Sequence, residues 1–136
     1  MTTLSPVRAR KRRQAGQGVV EFGLAASFFI LFLLSLMQAG YGVYCYNTMT
    51  NAAREAARYA ALRGPNSPTP ATTAQIQQAA IDAAVGVPLS TSNITVSWPN
   101  DPNISSLKDA QVNISYNYSW IGTLTLTAFS RMLVSQ

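Results

Sequence analysis

The chain has 136 residues, which is enough for one small folded domain and a membrane anchor but not for two full domains. Its net charge of +5 has a local origin, because five of its ten basic residues lie before residue 14 and the remainder carries five bases and five acids. A nucleic-acid-binding surface spread over the fold is therefore not expected. The single cysteine, Cys45, and the lack of histidine exclude an intrachain disulfide and a Cys/His metal cluster.

Residues 1–16 form a basic leader in front of an apolar run. Its charged residues are Arg8, Arg10, Lys11, Arg12 and Arg13. Basic residues beside an apolar segment follow the positive-inside rule, so we expect this end of the chain to stay in the cytoplasm. The alternatives are a nuclear-localisation or RNA-binding tag and, for the whole chain, a peripheral nucleic-acid binder. The apolar run that follows argues against both.

The uncharged run between Phe22 and Ala53 predicts a membrane helix. Its most apolar part, 19–37, has about the 20 residues that a helix needs to cross a bilayer. A cleaved secretory signal would have a shorter apolar core of roughly 7–15 residues and small residues at its end. Here the run continues into an aromatic, glycine-containing segment suited to a membrane interface. We therefore assign 17–45 as a transmembrane helix, with the C-terminal part of the chain outside.

Residues 46–64 continue this helix beyond the membrane. The segment 51–63 is rich in alanine, a strong helix former, and Gly64-Pro65 is a stop signal. Alanines at i, i+4 spacing form two ridges of small side chains, which permit the close approach of another helix or of a sheet. One ridge, the candidate packing surface, consists of Ala53, Ala57 and Ala61; the other consists of Ala52, Ala56 and Ala60. Cys45 is expected to be a packed small side chain rather than a lipidation site.

Residues 65–136 predict a small α+β domain. Thr72 and Gln75 can form a capping box that opens a short helix reaching about Val85. Two-residue alternation then predicts strands over 93–98, 112–118 and 124–134. An antiparallel sheet of three strands needs a cover for its apolar face, and the alanine-rich half of the long helix can supply it. The expected fold is α+β: a long N-terminal transmembrane helix, a short second helix and a three-stranded antiparallel sheet packed on the outer half of the long helix.

Glu21 stands alone at the start of the apolar run, where an ionised carboxylate without a partner costs at least about 2 kcal/mol. One interpretation places it at headgroup depth beside Arg13. The other rests on a resemblance, because the sequence Gly-Gln-Gly-Val-Val-Glu-Phe at 16–22 resembles the processing site of type IV-like prepilins. Its form, glycine and four residues before Glu-Phe, is similar to that of the tight-adherence (Tad) system.

This resemblance implies that a prepilin peptidase removes the leader after Gly16. Gln17 then becomes the first residue of the mature chain and Glu21 the fifth, followed by Phe22. In the family, the glutamate is thought to neutralise the new N-terminal amine of a neighbouring subunit, which pairs two charges that would each be costly in lipid. A cut after Gly18 would make Glu21 the third residue and does not fit.

The sequence Asn-Ala-Ala-Arg-Glu-Ala-Ala-Arg-Tyr-Ala at 51–60 resembles the segment that follows the membrane helix in TadE-like proteins, the minor pilins or pseudopilins of the Tad apparatus. The resemblance implies a pilin-like fold and a structural role in assembling a Tad-type (Flp) pilus for surface adhesion or secretion. The implied partners are membrane lipid, the prepilin peptidase, other pilins or pseudopilins and an inner-membrane assembly platform. The implied location is the inner membrane, with a cytoplasmic N-terminus, and after assembly an extracellular pilus.

The residues give no sign of catalysis. A nucleophile–base pair is hard to build without histidine, and Asp82, Asp101 and Asp109 fall in different elements without metal-loop spacing. We expect no enzyme, no metal, no cofactor, no small-molecule substrate and no nucleic acid. The alternative function is an uncleaved single-pass membrane protein whose external domain binds a partner.

Overall fold

A computed structural model describes residues 7–100, 108–119 and 123–134, and for residues 7–15 it describes the backbone alone. The elements are helix α1 (Val7–Leu62), helix α2 (Thr73–Ala83) and strands β1 (Ile94–Ser97), β2 (Asp109–Ser119) and β3 (Thr123–Leu133). The α+β class predicted from the sequence is confirmed. The chain divides between Tyr41 and Gly42 into two compact units, called here the inner unit and the outer unit.

The inner unit is the part of α1 that carries the apolar run. Its large apolar side chains are exposed on every side of the helix, from Val19 to Met37. A helix that is apolar all round needs lipid or other helices around it. The stretch Gly16–Leu62 is the one described segment that is long and apolar enough to cross a membrane, by length and composition. This fits a single-pass membrane protein.

The outer unit is built on the remainder of α1. The buried side chains of this part of the helix are Cys45, Met49, Ala52, Ala53, Ala56, Ala57, Ala60 and Ala61. They share one core with Ile76 of α2 and with Val112 and Ile114 of β2. Alanine and cysteine project little from the helix, so the sheet and α2 can approach its backbone closely. The expectation that Cys45 is a packed side chain is confirmed.

Helix α2 begins with the predicted capping box. Thr72 Oγ1 accepts a hydrogen bond from the Gln75 amide at 3.3 Å, and Gln75 Oε1 accepts one from the Thr72 amide at 3.0 Å. The helix ends at Ala83, slightly before the predicted end, because the amide of the next residue bonds to the carbonyl of Ile81 and tightens the last turn. Gly86 then reverses the chain with a φ of 79°.

The sheet has the order β1-β2-β3, and both pairs are antiparallel. Alternate residues of β2 face the core, as the predicted two-residue period requires. Strand β1 begins at Ile94 rather than at residue 93, because Thr91–Asn93 form a 3₁₀ turn in which the Asn93 side chain bonds to the Ser115 carbonyl at 3.0 Å. The sequence Pro-Asn-Asp-Pro at 99–102 predicts a turn after β1, and part of that turn lies outside the described residues.

An ion pair joins the base of β2 to the end of β3. Arg131 donates to the carboxylate of Asp109, whose side chain is buried. Asp109 lies opposite Leu133 and Arg131 lies opposite Gln111, so the two charges are diagonal neighbours across the strands. Each is the one charged residue of its strand. The pair therefore favours the observed register.

Gly64 is required for a reason other than the one its sequence position suggests. A glycine just past a helix commonly takes the left-handed conformation, but Gly86 is the one glycine with a positive φ among the described residues. A Cβ added at Gly64 would overlap Val134 Cγ1 at the end of β3. Here the glycine makes room for the last strand.

Candidate processing and assembly segment

The predicted processing and assembly residues lie on one exposed stretch of α1. Gly16, Gln17, Glu21 and Phe22 all have exposed side chains or backbone. The bond between Gly16 and Gln17 is part of the helical backbone. Glycine in a helix interior costs roughly 0.5–1 kcal/mol relative to alanine, so the glycines at 16 and 18 make this part of the helix easier to open.

Packing within the described chain does not account for these glycines. A Cβ added at Gly16, Gly18 or Gly23 would meet no atom within 4 Å. Alanine would therefore fit at each position and would favour the helix. Steric room within the described chain thus does not require glycine at residue 16.

Glu21 has no charged residue three or four positions away on α1. The positions three and four residues away are Gln17, Gly18, Leu24 and Ala25, all uncharged. In the part of the chain that the structure describes, the ion pairs are Glu55–Arg58 and Asp109–Arg131, and neither involves Glu21. Among the described side chains, the Glu21 carboxylate is exposed and takes part in no ion pair.

The helix that follows is adapted to an apolar environment. Phe22 is exposed, as are the phenylalanine and leucine side chains of the run after it. The hydroxyls of Ser27 and Ser35 each donate to a backbone carbonyl one turn earlier, that of Gly23 or Leu31, at 2.8 Å. These polar groups are satisfied within the helix, as is needed where water is absent.

The basic leader is described in part. The backbone of α1 starts at Val7 and so includes the positions of Arg8, Arg10, Lys11, Arg12 and Arg13. Residues 1–6 and the side chains of these basic residues lie outside what the structure describes. The topogenic role of the leader stays a prediction.

The candidate packing residues Ala53, Ala57 and Ala61 are buried, and so are the alanines of the second ridge. Their neighbours in the core come from α2 and the sheet of the same chain. In this fold the ridges serve intramolecular packing with a sheet, one of the two possibilities that small-residue ridges allow. These alanines are therefore already covered by the chain's own fold, whereas the large side chains of the inner unit are exposed.

One contact of the outer unit was not anticipated from the sequence. The Tyr44 hydroxyl donates a hydrogen bond to the Val85 carbonyl at 2.8 Å, and a Cβ at Gly86 would lie 2.7 Å from the same hydroxyl oxygen. This ties the end of α2 to the first turn of the outer unit. The signal in the sequence is a glycine two residues before Pro88, which marks a turn but not its partner.

Comparison with known families identifies the segment that carries these features. Residues 16–58 match the model of a family described as TadE-like protein. This part of the chain is similar to TadE-like proteins. The TadE-like segment starts at Gly16, includes Glu21 and ends at Arg58 within the alanine-rich helix. No curated protein and no solved structure matches the chain.

The TadE-like segment covers α1 on both sides of the division at Tyr41–Gly42 and leaves out α2 and the strands. The match is consistent with a protein of Tad pilus systems. The match therefore concerns the helix that carries the processing motif, the apolar run and most of the alanine ridges.

Proposed function

We propose that this chain is a minor pilin or pseudopilin that is processed by a prepilin peptidase and is needed to assemble a Tad-type (Flp) pilus. The observation that carries the proposal is that the TadE-like match begins at Gly16, the residue after which the leader would be removed. Such a pilus would serve surface adhesion or secretion. In this role the chain is a substrate and a building block, and the catalytic chemistry belongs to its peptidase.

Gly16 and the basic leader have distinct roles in this proposal. The leader holds the N-terminus in the cytoplasm, where the peptidase meets the bond between Gly16 and Gln17. Open space around Gly16 supports recognition by another protein, because the described fold has no packing need for glycine there. Removal of the leader leaves residues 17–136, whose five basic and five acidic side chains give no net charge. In this proposal the outer unit lies outside the membrane.

Glu21 is proposed as the assembly contact. Cleavage creates an amine at Gln17. This amine and the Glu21 carboxylate both lie at the edge of the apolar run. An ionised group in that environment costs several kcal/mol unless it is paired. The exposed carboxylate of one subunit and the new amine of a neighbour would neutralise each other, which favours lateral contact between inner units and with other pilins.

The first experiment measures the intact mass and the N-terminal residue of the membrane-extracted protein, expressed with and without the cognate peptidase. The wild-type chain should lose residues 1–16 when the peptidase is present. Gly16→Ala should accumulate at full length. Gly18→Ala is the matched control, because its surroundings are equally open, and it should be processed like the wild type.

A full-length wild-type chain in the presence of an active peptidase would overturn the proposal. It would support instead an uncleaved single-pass membrane protein with an external binding domain. Equal processing of Gly16→Ala and the wild type would show that the cleavage bond lies elsewhere.

The second experiment separates assembly from processing. Glu21→Gln should be cleaved normally but should fail to copurify or crosslink with the other pilus subunits. Glu55→Gln is the matched control, because it makes the same change on the same helix at an exposed residue that pairs with Arg58 in its own chain. Normal incorporation of Glu21→Gln would refute the assembly role.

A further inference from the structure

Exposed apolar side chains lie at the end of the outer unit where the chain enters it from the apolar run. This end is called here the rim. On α1 these side chains are Val43, Tyr44 and Tyr46, with 46–60% of each side chain exposed. At the end of α2, Val85 is 72% exposed. The hydrogen bond from the Tyr44 hydroxyl to the Val85 carbonyl brings the two elements together at one level.

The turn that presents Val85 is uncharged and held in place. Residues 83–89 contain no ionisable side chain. Within the turn, Ala84 and Val87 are buried in the core, whereas Val85 between them points outward. Gly86 takes a left-handed φ of 79° against the Tyr44 hydroxyl, so the tip of the turn is fixed by both conformation and contact.

The 83–89 turn contacts α1 at Tyr44, and this part of α1 is far from the next charged residue of the helix. Arg54, the first charged residue after Tyr44, lies ten positions further along the helix, or about 15 Å at 1.5 Å per residue. In the other direction the chain continues directly into the apolar run. Tyrosines are enriched where a membrane protein passes from hydrocarbon to water, because the ring is apolar and the hydroxyl is polar.

We propose that the 83–89 turn rests on the membrane surface and inserts Val85 at the boundary between headgroups and acyl chains. It would form a second lipid contact in addition to that of the transmembrane helix. The bond between the Tyr44 hydroxyl and the Val85 carbonyl satisfies two polar groups in a layer where water is scarce. Two separated contacts restrict the tilt of the outer unit, which a single helix would leave free.

Lipid is the occupant that the observations favour. The exposed apolar residues lie at the end of the unit that the membrane run enters, and residues 83–89 carry no charge. The nearest acid, the exposed Asp82, accepts a hydrogen bond from the Gln78 side chain in the preceding turn of α2. Transfer of an exposed valine side chain from water to an apolar environment is favourable. The same valine on a surface directed away from the membrane would have no such environment.

The test uses the full chain in vesicles of phosphatidylcholine and phosphatidylglycerol, with an environment-sensitive fluorophore on one introduced cysteine in a Cys45→Ala background. The probe position is Val85→Cys. Leu62→Cys is the matched control, since its side chain is 64% exposed and lies at the opposite end of the outer half of α1. Phe32→Cys, in the apolar run, reports immersion in lipid.

A nitroxide on the upper acyl chain should quench the label at residue 85 severalfold more strongly than the label at residue 62, and aqueous iodide should give the reverse order. Iodide quenching at residue 85 equal to that at residue 62 would overturn the proposal. So would lipid quenching at both sites, because the whole unit would then lie on the bilayer.

Shielding of residue 85 from both quenchers would also overturn it, since a protein surface or a second copy would then cover the turn. Near-ultraviolet circular dichroism of each labelled chain checks that the core is intact. The experiment contains no peptidase, so its outcome is independent of whether the leader is cleaved.

Discussion

The two parts of α1 share a helical backbone but have opposite surroundings. In the inner unit the bulky side chains are exposed, and Met37 is a typical example at 71%. In the outer unit the buried positions are mostly alanine, and Met49 is 0% exposed. The more hydrophobic part of the helix is therefore the one without a core of its own.

The difference shows that side-chain size, rather than hydrophobicity alone, separates the two uses of the helix. Small side chains let α2 and the sheet of the same chain pack on the outer part. Large side chains surround the inner part of the helix and leave no flat surface on which a sheet could pack. A helix of this kind is surrounded by lipid or by neighbouring helices. Matched substitutions in the two parts test this directly.

The largest expected effect is that of Met49→Ala. Removal of this fully buried side chain should lower the free energy of unfolding of the outer unit by about 2–5 kcal/mol. Met37→Ala makes the same change in the inner unit and should leave it unaltered. Urea unfolding in detergent micelles, followed by near-ultraviolet circular dichroism, measures both. Equal losses for the two variants would contradict the comparison.

Enlarging an alanine should have the next largest effect. Ala57→Leu overfills a fully buried site and should cost about 1–3 kcal/mol of unfolding free energy. Ala25→Leu, at an exposed position of the inner unit, should cost nothing measurable and should not hinder membrane insertion. A stable Ala57→Leu chain would mean that the sheet does not sit closely on this ridge.

A smaller effect is expected where the helix ends. Gly64→Ala should destabilise the outer unit by about 1 kcal/mol or slightly more, because the new methyl group displaces Val134. Gly42→Ala places its methyl group in open space within α1 and should stabilise the unit by roughly 0.5–1 kcal/mol. Opposite signs of the shift in midpoint temperature are the expected result. A shared sign would refute the steric role of Gly64.

The smallest effect concerns an exposed ion pair. The hydrogen bond from Arg58 holds the pKa of the Glu55 carboxyl below its ordinary value of 4.5. The stabilising contribution is therefore complete above that value and is lost as the pH falls through the lowered pKa of the folded state. Solvent screens the pair, so the change in midpoint temperature should be slight.

Glu55→Gln should accordingly unfold at a marginally lower temperature than the wild type at about pH 7, and the two should converge once the pH falls below the lowered pKa of the Glu55 carboxyl. Thermal unfolding over this pH range measures the difference. A gap that persists in acid, or that survives about 1 M salt, would show that the ion pair is not its cause.

Much of the fold follows from local signals in the sequence. The long uncharged run requires a helix in an apolar environment, because backbone groups without water must bond to each other. The Thr72 and Gln75 box starts α2, and the two-residue period marks all three strands. These features depend on neighbours a few residues apart, so the sequence contains the information for each of them.

Other features depend on residues far apart in the chain. The contact of Tyr44 with Val85, the overlap that excludes a side chain at Gly64 and the buried pairing of Asp109 with Arg131 each join distant segments. The last pair had a usable signal, because β2 and β3 each contain a single charged residue of opposite sign. The other two had none, since a tyrosine and a glycine have many possible partners.

For the candidate site, the sequence by itself determined the basic leader, the glycine and glutamate at their spacing, and the apolar helix that follows, because charge and hydropathy are properties of the residues themselves. The tertiary structure decided which surfaces remain for other molecules. It buried the alanine ridges against the chain's own sheet, left Glu21 exposed, and fixed Val85 beside Tyr44 at the rim. A surface that is buried within the chain cannot contact another molecule, and which surfaces are buried depends on how distant segments pack together.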